Sequence, residues 1–431
     1  MDELRTIRVA AITRVEGEGG LSIHVRDGAV TGVELRIFEP PRLFEALLRG
    51  KALEQAPDIT ARICGICPVA YQMSAVHALE QALGITIPPP LRPLRRLLYC
   101  GEWIESHTLH VHLLHAPDFF GCASGLELAK SHPEAIQRGL QLRKLGNRLL
   151  EVLGGRAIHP VNVAVGGFYR LPRRTELAAL VDDFARGLEA AEAAARWVAA
   201  FEFPDFEQPY DFVSLWHPDE YPLCAGSLRT SDGLLLDVAE FEQQFTERQV
   251  PHSTALQAVR RATGGTYLVG PLARLNHCRD QLAPLARALA DELGLATPCC
   301  NPYQGIVARA VEVVHAFEEA LGILRAYRPD SEPRVRYEPR AGRGCAATEA
   351  PRGLLYHSYE IDNEGLITRA TIVPPTSQNQ ARIEEDLRHY LPQILALPDD
   401  EVALACERLV RSYDPCISCS THFLKVNWVR Q

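Results

Sequence analysis

No apolar run in this sequence of 431 residues approaches the roughly 18–20 residues that a helix needs to cross a lipid bilayer. No long run of Lys or Arg occurs either, and the formal net charge is −9 at pH 7, so a nucleic-acid partner is not expected. There is no internal repeat and no G-x-G-x-x-G fingerprint for a dinucleotide cofactor. The N-terminal stretch MDELRTIRVAA lacks the charged-then-apolar pattern of a signal peptide, so we expect a cytoplasmic protein.

The composition is that of an ordinary globular protein, with 47% hydrophobic and 23% charged residues. Alternating apolar residues around GEGG and DG predict a β-meander over residues 1–40. A helical period predicts a bundle of long helices over residues 41–200, followed by an irregular or β-containing lobe over 203–270. We expect further helices and a C-terminal metal-binding segment over residues 271–431. We therefore expect one α+β domain over residues 1–431, mostly helical, with small β lobes.

A β-hairpin is predicted over residues 353–375, because LLYHSYEI and LITRATIV flank a DNEG turn. Folding about that turn sets APRG beside VPPT. Arg352 and Thr376 should therefore meet at the open end of the hairpin.

Four of the twelve cysteines form two C-x-x-C pairs at opposite ends of the chain, Cys64 with Cys67 and Cys416 with Cys419. A proline follows the first pair and precedes the second, so we expect both pairs at helix N-termini. The positive end of a helix lowers the pKa of a thiol and favours the thiolate that binds soft metals. Disulfides are rare in reducing compartments, so the pairs indicate metal or redox chemistry. The other eight cysteines are expected to pack as small buried apolar side chains.

The pairs alone leave three kinds of site open. A structural zinc site usually gathers its ligands within a short module, which fits poorly with the separation of 349 positions from Cys67 to Cys416. Two independent thioredoxin-like pairs would each need a βαβ setting that neither has. The third possibility is one four-thiolate transition-metal site that draws the two ends of the chain together.

Further motifs make the sequence resemble the large, catalytic subunit of nickel–iron hydrogenases. The motifs that carry this resemblance, in the order found in that family, are TRVEGEGG (13–20), LFEALLRG (43–50), RICGIC (62–67), SHTLHVHLLHAPD (106–118), EAPRG (349–353), VPPTSQN (373–379) and DPCISCSTH (414–422). They span nearly the whole chain. The resemblance implies the hydrogenase large-subunit fold and the reversible conversion of H2 to two protons and two electrons. The short chain and bare N-terminus resemble the cytoplasmic, bidirectional, nicotinamide-linked branch.

The resemblance also implies a role for each residue of the metal site. Nickel would be bound by four thiolates, those of Cys64, Cys67, Cys416 and Cys419. The second cysteine of each pair would also bridge to an iron that carries carbon monoxide and cyanide. Arg352 would donate to one cyanide and Thr376 to another, with Asp118 and Asp414 around the same pocket and Glu16 as the proton relay. From the residues alone, Asp118 is equally a turn residue, Asp414 a helix N-cap and Glu16 a solvated turn glutamate.

A second cation site is implied for magnesium or iron. Its ligands would be Glu45, the backbone carbonyl of Ile372 and His422, although Glu45 alone is simply an exposed position of an amphipathic helix. Four histidines in a single predicted helix are expected to donate hydrogen bonds around the thiolate site rather than to form a third metal site; they are His107, His110, His112 and His115. Tyr71 occupies a position where the family often has histidine. The difference affects a side chain that contacts the metal ligands, and it does not replace a ligand.

Partners follow from the same resemblance. No iron–sulfur spacing remains after the paired cysteines, so electrons need an iron–sulfur small subunit, joined to diaphorase subunits with flavin and NAD(P). A maturation protease would remove residues 423–431 after His422 once nickel is inserted. Two alternatives stay open: a deazaflavin-reducing hydrogenase subunit, and a metal-free scaffold like that of respiratory complex I, against which the four cysteines argue.

Overall fold

A three-stranded antiparallel meander opens the fold, as the alternation predicts. The computed structural model describes residues 4–329 and 331–421. The strands β1 (Leu4–Val9), β2 (Gly19–Arg26) and β3 (Ala29–Ile37) pair in the order β1-β2-β3. Leu21 and Ile23 of β2 are fully buried, so one face of the sheet packs on the helical core.

Long helices form the core of the molecule. The helices of the first half are α1 (Phe44–Leu48), α2 (Ala56–Ala61), α3 (Pro68–Leu83), α4 (Leu91–Leu109), α5 (Ala116–Phe119), α6 (Gly125–Ser131), α7 (Pro133–Gly154), α8 (Arg174–Ala178) and α9 (Val181–Ala199). Helix α3 begins at Pro68 and ends at Leu83, and the left-handed backbone of Gly84 (φ 67°) caps it as the sequence predicts. Helix α4 continues into a π-helical turn, His110–His115. Trp103 on α4 is fully buried.

Short strands occupy the region between the two helical halves. They are β4 (Val163–Ala164), β5 (Gly167–Phe168), β6 (Val213–Trp216), β7 (Ser227–Thr230), β8 (Leu235–Leu236), β9 (Phe245–Gln249) and β10 (Leu256–Arg260), with the single-turn helix α10 (Phe241–Gln244) before β9. All their pairings are antiparallel. Proline and glycine punctuate this stretch, which keeps each strand short.

The second half returns to helices and adds a three-stranded sheet. Its elements are α11 (Pro271–Cys278), α12 (Pro284–Glu292), α13 (Gly305–Ala326), β11 (Gly342–Ala350), β12 (Gly353–Ile361), β13 (Ile367–Val373), α14 (Pro375–Ile394) and α15 (Asp399–Ser412). The predicted hairpin is the β12–β13 pair. Strand β11 extends it against α3, where a Cβ on Gly344 would lie 2.0 Å from the Ala78 carbonyl oxygen. Close packing of strand on helix therefore requires glycine there.

None of the helices in the described part of the chain combines the length and apolar character that a bilayer crossing requires.

Candidate metal centre

Four cysteine sulfurs meet in the interior, where the two ends of the chain come together. The Sγ atoms of Cys64, Cys67, Cys416 and Cys419 all lie within 4.8 Å of one another, and none of these residues is more than 3% exposed. The Cys64 and Cys416 sulfurs are 3.5 Å apart, and those of Cys67 and Cys419 are 3.8 Å apart. All twelve cysteines lie in the described part of the chain, and none of them is in a disulfide. Of the other eight cysteines, six are buried, and Cys122 and Cys300 are half-buried.

The sulfur spacing fits thiolates gathered around a metal. A metal–sulfur bond of about 2.3 Å in tetrahedral geometry separates two sulfurs by about 3.8 Å, close to the two distances between the pairs. The Cys416 and Cys419 sulfurs are closer, at 2.8 Å, yet well beyond the roughly 2.05 Å of a disulfide bond. Four buried soft donors suit nickel or another thiophilic transition metal.

The first pair is held at the start of α3, as the sequence predicts. Cys67 is the N-cap residue of that helix, and the Cys64 sulfur accepts the backbone N–H groups of Ile66 and Cys67 at 3.3 and 3.2 Å. Burial raises the pKa of the Cys64 thiol, but hydrogen bonds from the neighbouring thiols and the charge of Arg352 bring it well below its usual range. For Cys416, burial and the adjoining sulfurs together raise the pKa well above its usual range. The cluster therefore retains protons that a metal would displace.

Glu102 stabilises the same helix start and was not anticipated from the sequence. Its carboxylate on α4 is fully buried and accepts the N–H groups of Val69 at 2.6 Å and Ala70 at 3.1 Å. These are among the N–H groups that a helix start leaves without internal partners. The contact fixes the first turn of α3 and, with it, the direction of Cys67.

The second pair does not begin a helix, so that prediction was wrong. Helix α15 ends at Ser412, Asp414 has a left-handed backbone (φ 54°), and Cys419 lies in a single 3-10 turn, Ser418–Ser420. The reason is that this backbone pairs elsewhere: the Ile417 N–H donates to the Glu16 carbonyl at 2.9 Å. Asp414 is consequently not a helix N-cap.

Glu16 lies directly beside the sulfur cluster. The Cys416 thiol donates to Glu16 Oε2 at 3.1 Å, and the Ser418 backbone N–H donates to the same oxygen at 3.1 Å. Glu16 is half-buried. Its carboxylate is therefore held against a sulfur of the cluster rather than extended into solvent as a turn residue.

Arg352 and Thr376 both contact the segment that carries Cys416. Arg352 donates from Nε to the Asp414 carbonyl at 2.8 Å and from Nη2 to the Asp414 carboxylate at 3.1 Å. The Cys416 N–H donates to the Thr376 hydroxyl at 3.0 Å. All these side chains are buried. Arg352 and Thr376 thus contact the same short segment, Arg352 at Asp414 and Thr376 at Cys416.

Arg274 holds the backbone just before Arg352 and gave no signal in the sequence. It is fully buried and donates to the carbonyls of Ala350 and Pro351, both at 3.0 Å. It also pairs with Glu312 at 2.7 Å and Glu349 at 2.9 Å. Two buried carboxyl groups and two backbone carbonyls accept from one guanidinium, so the turn that carries Arg352 is firmly held.

Asp118 is held by two arginines and a histidine. Arg411 donates to it from Nε and Nη2 at 2.8 and 2.9 Å, Arg14 lies at 2.5 Å and His115 at 3.3 Å. Burial opposes ionisation, but these hydrogen bonds keep the Asp118 pKa below its usual range. Because Arg411 also donates to the Thr13 carbonyl at 3.2 Å, Asp118 anchors the turn that leads to Glu16.

The expected second cation site is only partly described. Glu45 Oε1 accepts the backbone N–H of Ile372 at 2.7 Å, so these two residues are adjacent as expected. Glu45 also lines a cavity of about 380 Å³. The Thr421 carbonyl accepts the Arg42 N–H at 2.6 Å, which brings the described end of the chain close to α1. His422 lies outside the described residues.

The four histidines of the 107–115 stretch point to different partners. Nitrogen atoms of these rings contact Glu312 (His107, 2.9 Å), the Arg411 carbonyl (His110, 2.8 Å), the Thr108 carbonyl (His112, 3.1 Å) and Asp118 (His115, 3.3 Å). Burial lowers the pKa of His107 and of His112 to about 4, so both are neutral at pH 7. Within residues 4–329 and 331–421, the four thiols are the one group of three or more His, Cys, Asp or Glu side chains close enough to share a metal.

Known proteins resemble this chain along most of its length. The family model described as nickel-dependent hydrogenase matches residues 42–139 and 269–422. Sulfhydrogenase 1 subunit alpha of Pyrococcus furiosus is 33% identical, covering 97% of this chain and 98% of that protein. The NAD-reducing hydrogenase HoxS subunit beta of Cupriavidus necator is 27% identical, covering 97% of this chain and 95% of that protein. The crystal structure of an NAD+-reducing NiFe-hydrogenase in the H2-reduced state superimposes with a TM-score of 0.86 at 28% identity, covering 97% of this chain and 99% of that one.

The fold and the thiolate site thus define a hydrogenase, and the chain belongs to the nickel-dependent hydrogenase family. It is a large, catalytic subunit of the nickel–iron type. The α+β, mostly helical fold expected from the sequence is confirmed.

Proposed function

We propose that this subunit converts H2 reversibly to two protons and two electrons at a nickel–iron centre, with nickel bound by the four clustered thiolates. The observation that carries the proposal is a set of four buried sulfurs within 4.8 Å of one another, with the Glu16 carboxylate 3.1 Å from one of them. When bound, the centre supplies the heterolytic cleavage of H2 and accepts the electrons. Cys67 and Cys419 would also hold an iron that carries carbon monoxide and cyanide.

Arg352 and Thr376 are the proposed donors to the two cyanides. The guanidinium has five N–H donors. Asp414 accepts two of them at 2.8 and 3.1 Å and the Ser106 hydroxyl accepts a third at 3.4 Å, so two remain for a ligand. The Thr376 oxygen accepts the Cys416 N–H at 3.0 Å, so its own hydroxyl proton can donate in another direction. Cyanide is a strong acceptor, and donors in a dry pocket bind it firmly.

Cys416 and Glu16 carry the proton in this proposal. A proton released at the Cys416 sulfur passes to Glu16 Oε2 over 3.1 Å, which is within direct transfer distance. The Ser418 N–H that also donates to this oxygen keeps the carboxylate aimed at the sulfur. From the half-buried Glu16 the proton can move outward.

A magnesium or iron ion at the second site would be bound by Glu45, the Ile372 carbonyl and His422. The contact between Glu45 and Ile372 at 2.7 Å supports this assignment. Carboxylate and carbonyl oxygens are the ligands that magnesium prefers.

We further propose that a maturation protease removes residues 423–431. The intact mass of active, nickel-loaded protein tests this, since a mass that retains those residues excludes cleavage.

The proposed partners are an iron–sulfur small subunit and diaphorase subunits that bind flavin and NAD(P), in a cytoplasmic complex. The names of the relatives support this: one is a subunit of a sulfhydrogenase and another a subunit of an NAD-reducing hydrogenase. A deazaflavin acceptor is less well supported, because relatives at 29–30% identity are named F420-non-reducing hydrogenases. The metal-free scaffold alternative conflicts with the clustering of all four thiols.

The acceptor is tested with the purified complex under H2. We expect reduction of NAD+ or NADP+ and no reduction of the deazaflavin. Rapid deazaflavin reduction without NAD(P) reduction would replace the proposed acceptor but leave the hydrogenase assignment intact.

A further inference from the structure

Four consecutive backbone carbonyls lead from the end of α15 toward the second cysteine pair, and a buried side chain donates to each of them. The donors and carbonyls are His110 to Arg411 (2.8 Å), Arg309 to Ser412 (3.0 Å), Arg309 to Tyr413 (3.1 Å) and Arg352 to Asp414 (2.8 Å). None of the three donors is more than 2% exposed. The last carbonyls of a helix have no partners within the helix, and side chains from other elements take that place here.

Arg309, near the start of α13, provides two of these four contacts. Its Nη1 and Nη2 atoms donate to adjacent carbonyls, as the planar fork of a guanidinium allows. In the described part of the chain its hydrogen bonds go to those carbonyls and to no carboxylate. The carbonyl end of a helix carries partial negative charge, which stabilises a buried cation placed there.

Glycine at position 305 gives this guanidinium room. Gly305 is one turn before Arg309 on α13. A Cβ atom there would lie 3.1 Å from Arg309 Nη1 and 3.5 Å from the Ser412 carbonyl oxygen. The shorter distance is tighter than an ordinary contact, so a methyl group at this position would displace the guanidinium without removing a donor.

The residue that follows the two carbonyls has an uncommon backbone conformation. Asp414 lies in the left-handed region (φ 54°), which a residue with a Cβ seldom adopts unless its surroundings hold it there. Arg309 holds the two residues before it. Arg352 holds Asp414 itself, through its carbonyl at 2.8 Å and its carboxylate at 3.1 Å. Two positions further on is Cys416.

We propose that Arg309 is a positioning residue that sets the path of the chain from the end of α15 into the sulfur cluster. By holding the two carbonyls before Asp414, it keeps that residue where it orients Arg352. This inference rests on the proposed function, in which Arg352 donates to a cyanide. Without Arg309 two buried carbonyls would lack a donor, and the backbone would shift to find other partners.

The test is Arg309→Met in the complete complex. Methionine is a long, flexible side chain that donates no hydrogen bond, so it removes both contacts while filling much of the space. Arg5→Met is the matched control, because Arg5 also donates to two carbonyls just beyond a helix. Those carbonyls are Leu395 at 3.0 Å and Leu397 at 3.3 Å, after α14.

The first readout is hydrogen exchange, which does not depend on a bound metal. The N–H groups of Cys416 and Ile417 are hydrogen-bonded at 3.0 and 2.9 Å. Mass spectrometry of the peptide that contains them should show roughly 10-fold faster exchange in Arg309→Met, because the segment opens more often. Arg5→Met should exchange at the wild-type rate.

The second readout is the infrared spectrum of the complex, recorded with nickel and iron per chain. In Arg309→Met the cyanide bands should shift, because the orientation of Arg352 changes, and turnover per nickel should fall roughly 10-fold. Arg309→Lys keeps the charge and can still donate to the carbonyls, so its bands and exchange rate should lie between those of Arg309→Met and wild type. Arg5→Met should leave the bands in place.

Wild-type exchange or wild-type cyanide bands in Arg309→Met would overturn the inference, as would equal changes in Arg5→Met. If Arg309→Met does not fold, Gly305→Ala decides, since it keeps every donor. Faster exchange of the Cys416 peptide in Gly305→Ala supports the inference, and an unchanged rate overturns it. Absence of carbon monoxide and cyanide bands from the wild-type complex would instead overturn the proposed function and leave the exchange result standing, so the two failures are distinguishable.

Discussion

The thiol of Cys416 lies 3.1 Å from the Glu16 carboxylate, although the two residues are 400 positions apart. The Glu16 backbone carbonyl also accepts the Ile417 N–H at 2.9 Å. The turn at residues 13–20 and the segment that carries the second cysteine pair are therefore one structural unit. Either end of the chain alone would leave the site incomplete.

Replacing Glu16 with Gln should stop proton transfer while leaving the metals bound. The amide keeps the shape of the side chain but cannot carry a proton at neutral pH, so H2/D+ exchange should fall by roughly 10²-fold or more. The measurement is isotope exchange per nickel. Glu18→Gln is the matched control because Glu18 is exposed two positions away, and it should exchange at the wild-type rate. Wild-type exchange in the Glu16 variant would mean that protons leave by another path.

Replacing Cys416 with Ser should abolish nickel binding. A hydroxyl is a harder and much less acidic ligand than a thiol, so it does not replace a thiolate on a soft metal. Metal analysis of the purified variant measures this. Cys406→Ser on α15 is the control, since that thiol is equally buried but lies outside the cluster. Full nickel occupancy in the Cys416 variant is incompatible with the assigned ligands.

Arg352→Lys should assemble the centre but turn over slowly. The planar guanidinium donates to the carbonyl and the carboxylate of Asp414 at once, and a lysine ammonium cannot reproduce that fork. We expect turnover to fall by roughly 10²-fold, the usual loss for a buried oriented donor, and the cyanide bands to shift. Arg186→Lys, at an exposed arginine, is the control. An unchanged rate together with unchanged cyanide bands would refute the contact.

Glu319 should make the free energy of unfolding depend on pH in acidic solution. Burial alone would raise its pKa, but hydrogen bonds with His315 and Arg96 lower it to about 2. A carboxylate whose pKa is depressed on folding stabilises the fold above its unfolded pKa of about 4.3, and this contribution is lost as pH falls toward 2. Glu319→Gln should therefore be less stable than wild type at pH 7, by at most about 3 kcal/mol.

The measurement for Glu319 is the difference in melting temperature between wild type and variant at several pH values. The difference should narrow between pH 5 and pH 2.5. A difference in melting temperature that stays constant across this range would show that ionised Glu319 does not stabilise the folded state.

Local signals explain which parts of the fold were predictable. The meander and α3 follow from nearby turn, proline and glycine residues, such as Pro68 and Gly84 at the two ends of the helix. Strand β11 was missed because GRGCAATEA has few of the β-branched and aromatic residues that mark strands. It is a strand because β12 pairs with it and α3 covers it.

Chemistry and distance explain which parts of the site were predictable. The thiol cluster could be anticipated because few residue types bind a soft metal. The cysteines of the two C-x-x-C pairs are therefore the expected ligands. Arg274 and Glu102 could not, since their partners lie 75 and 33 positions away and nothing local marks an arginine or glutamate as buried. The helix expected after Cys416 failed for the same reason, because its backbone pairs with distant Glu16.

The most direct test of the central claim is the infrared spectrum of the purified wild-type complex, recorded with its nickel and iron content. A nickel–iron centre on the four thiolates predicts one nickel and one iron at this site per chain. It also predicts sharp bands from metal-bound carbon monoxide and cyanide, which no protein side chain produces. Zinc in place of nickel, with no such bands in a fully folded complex, would contradict the account.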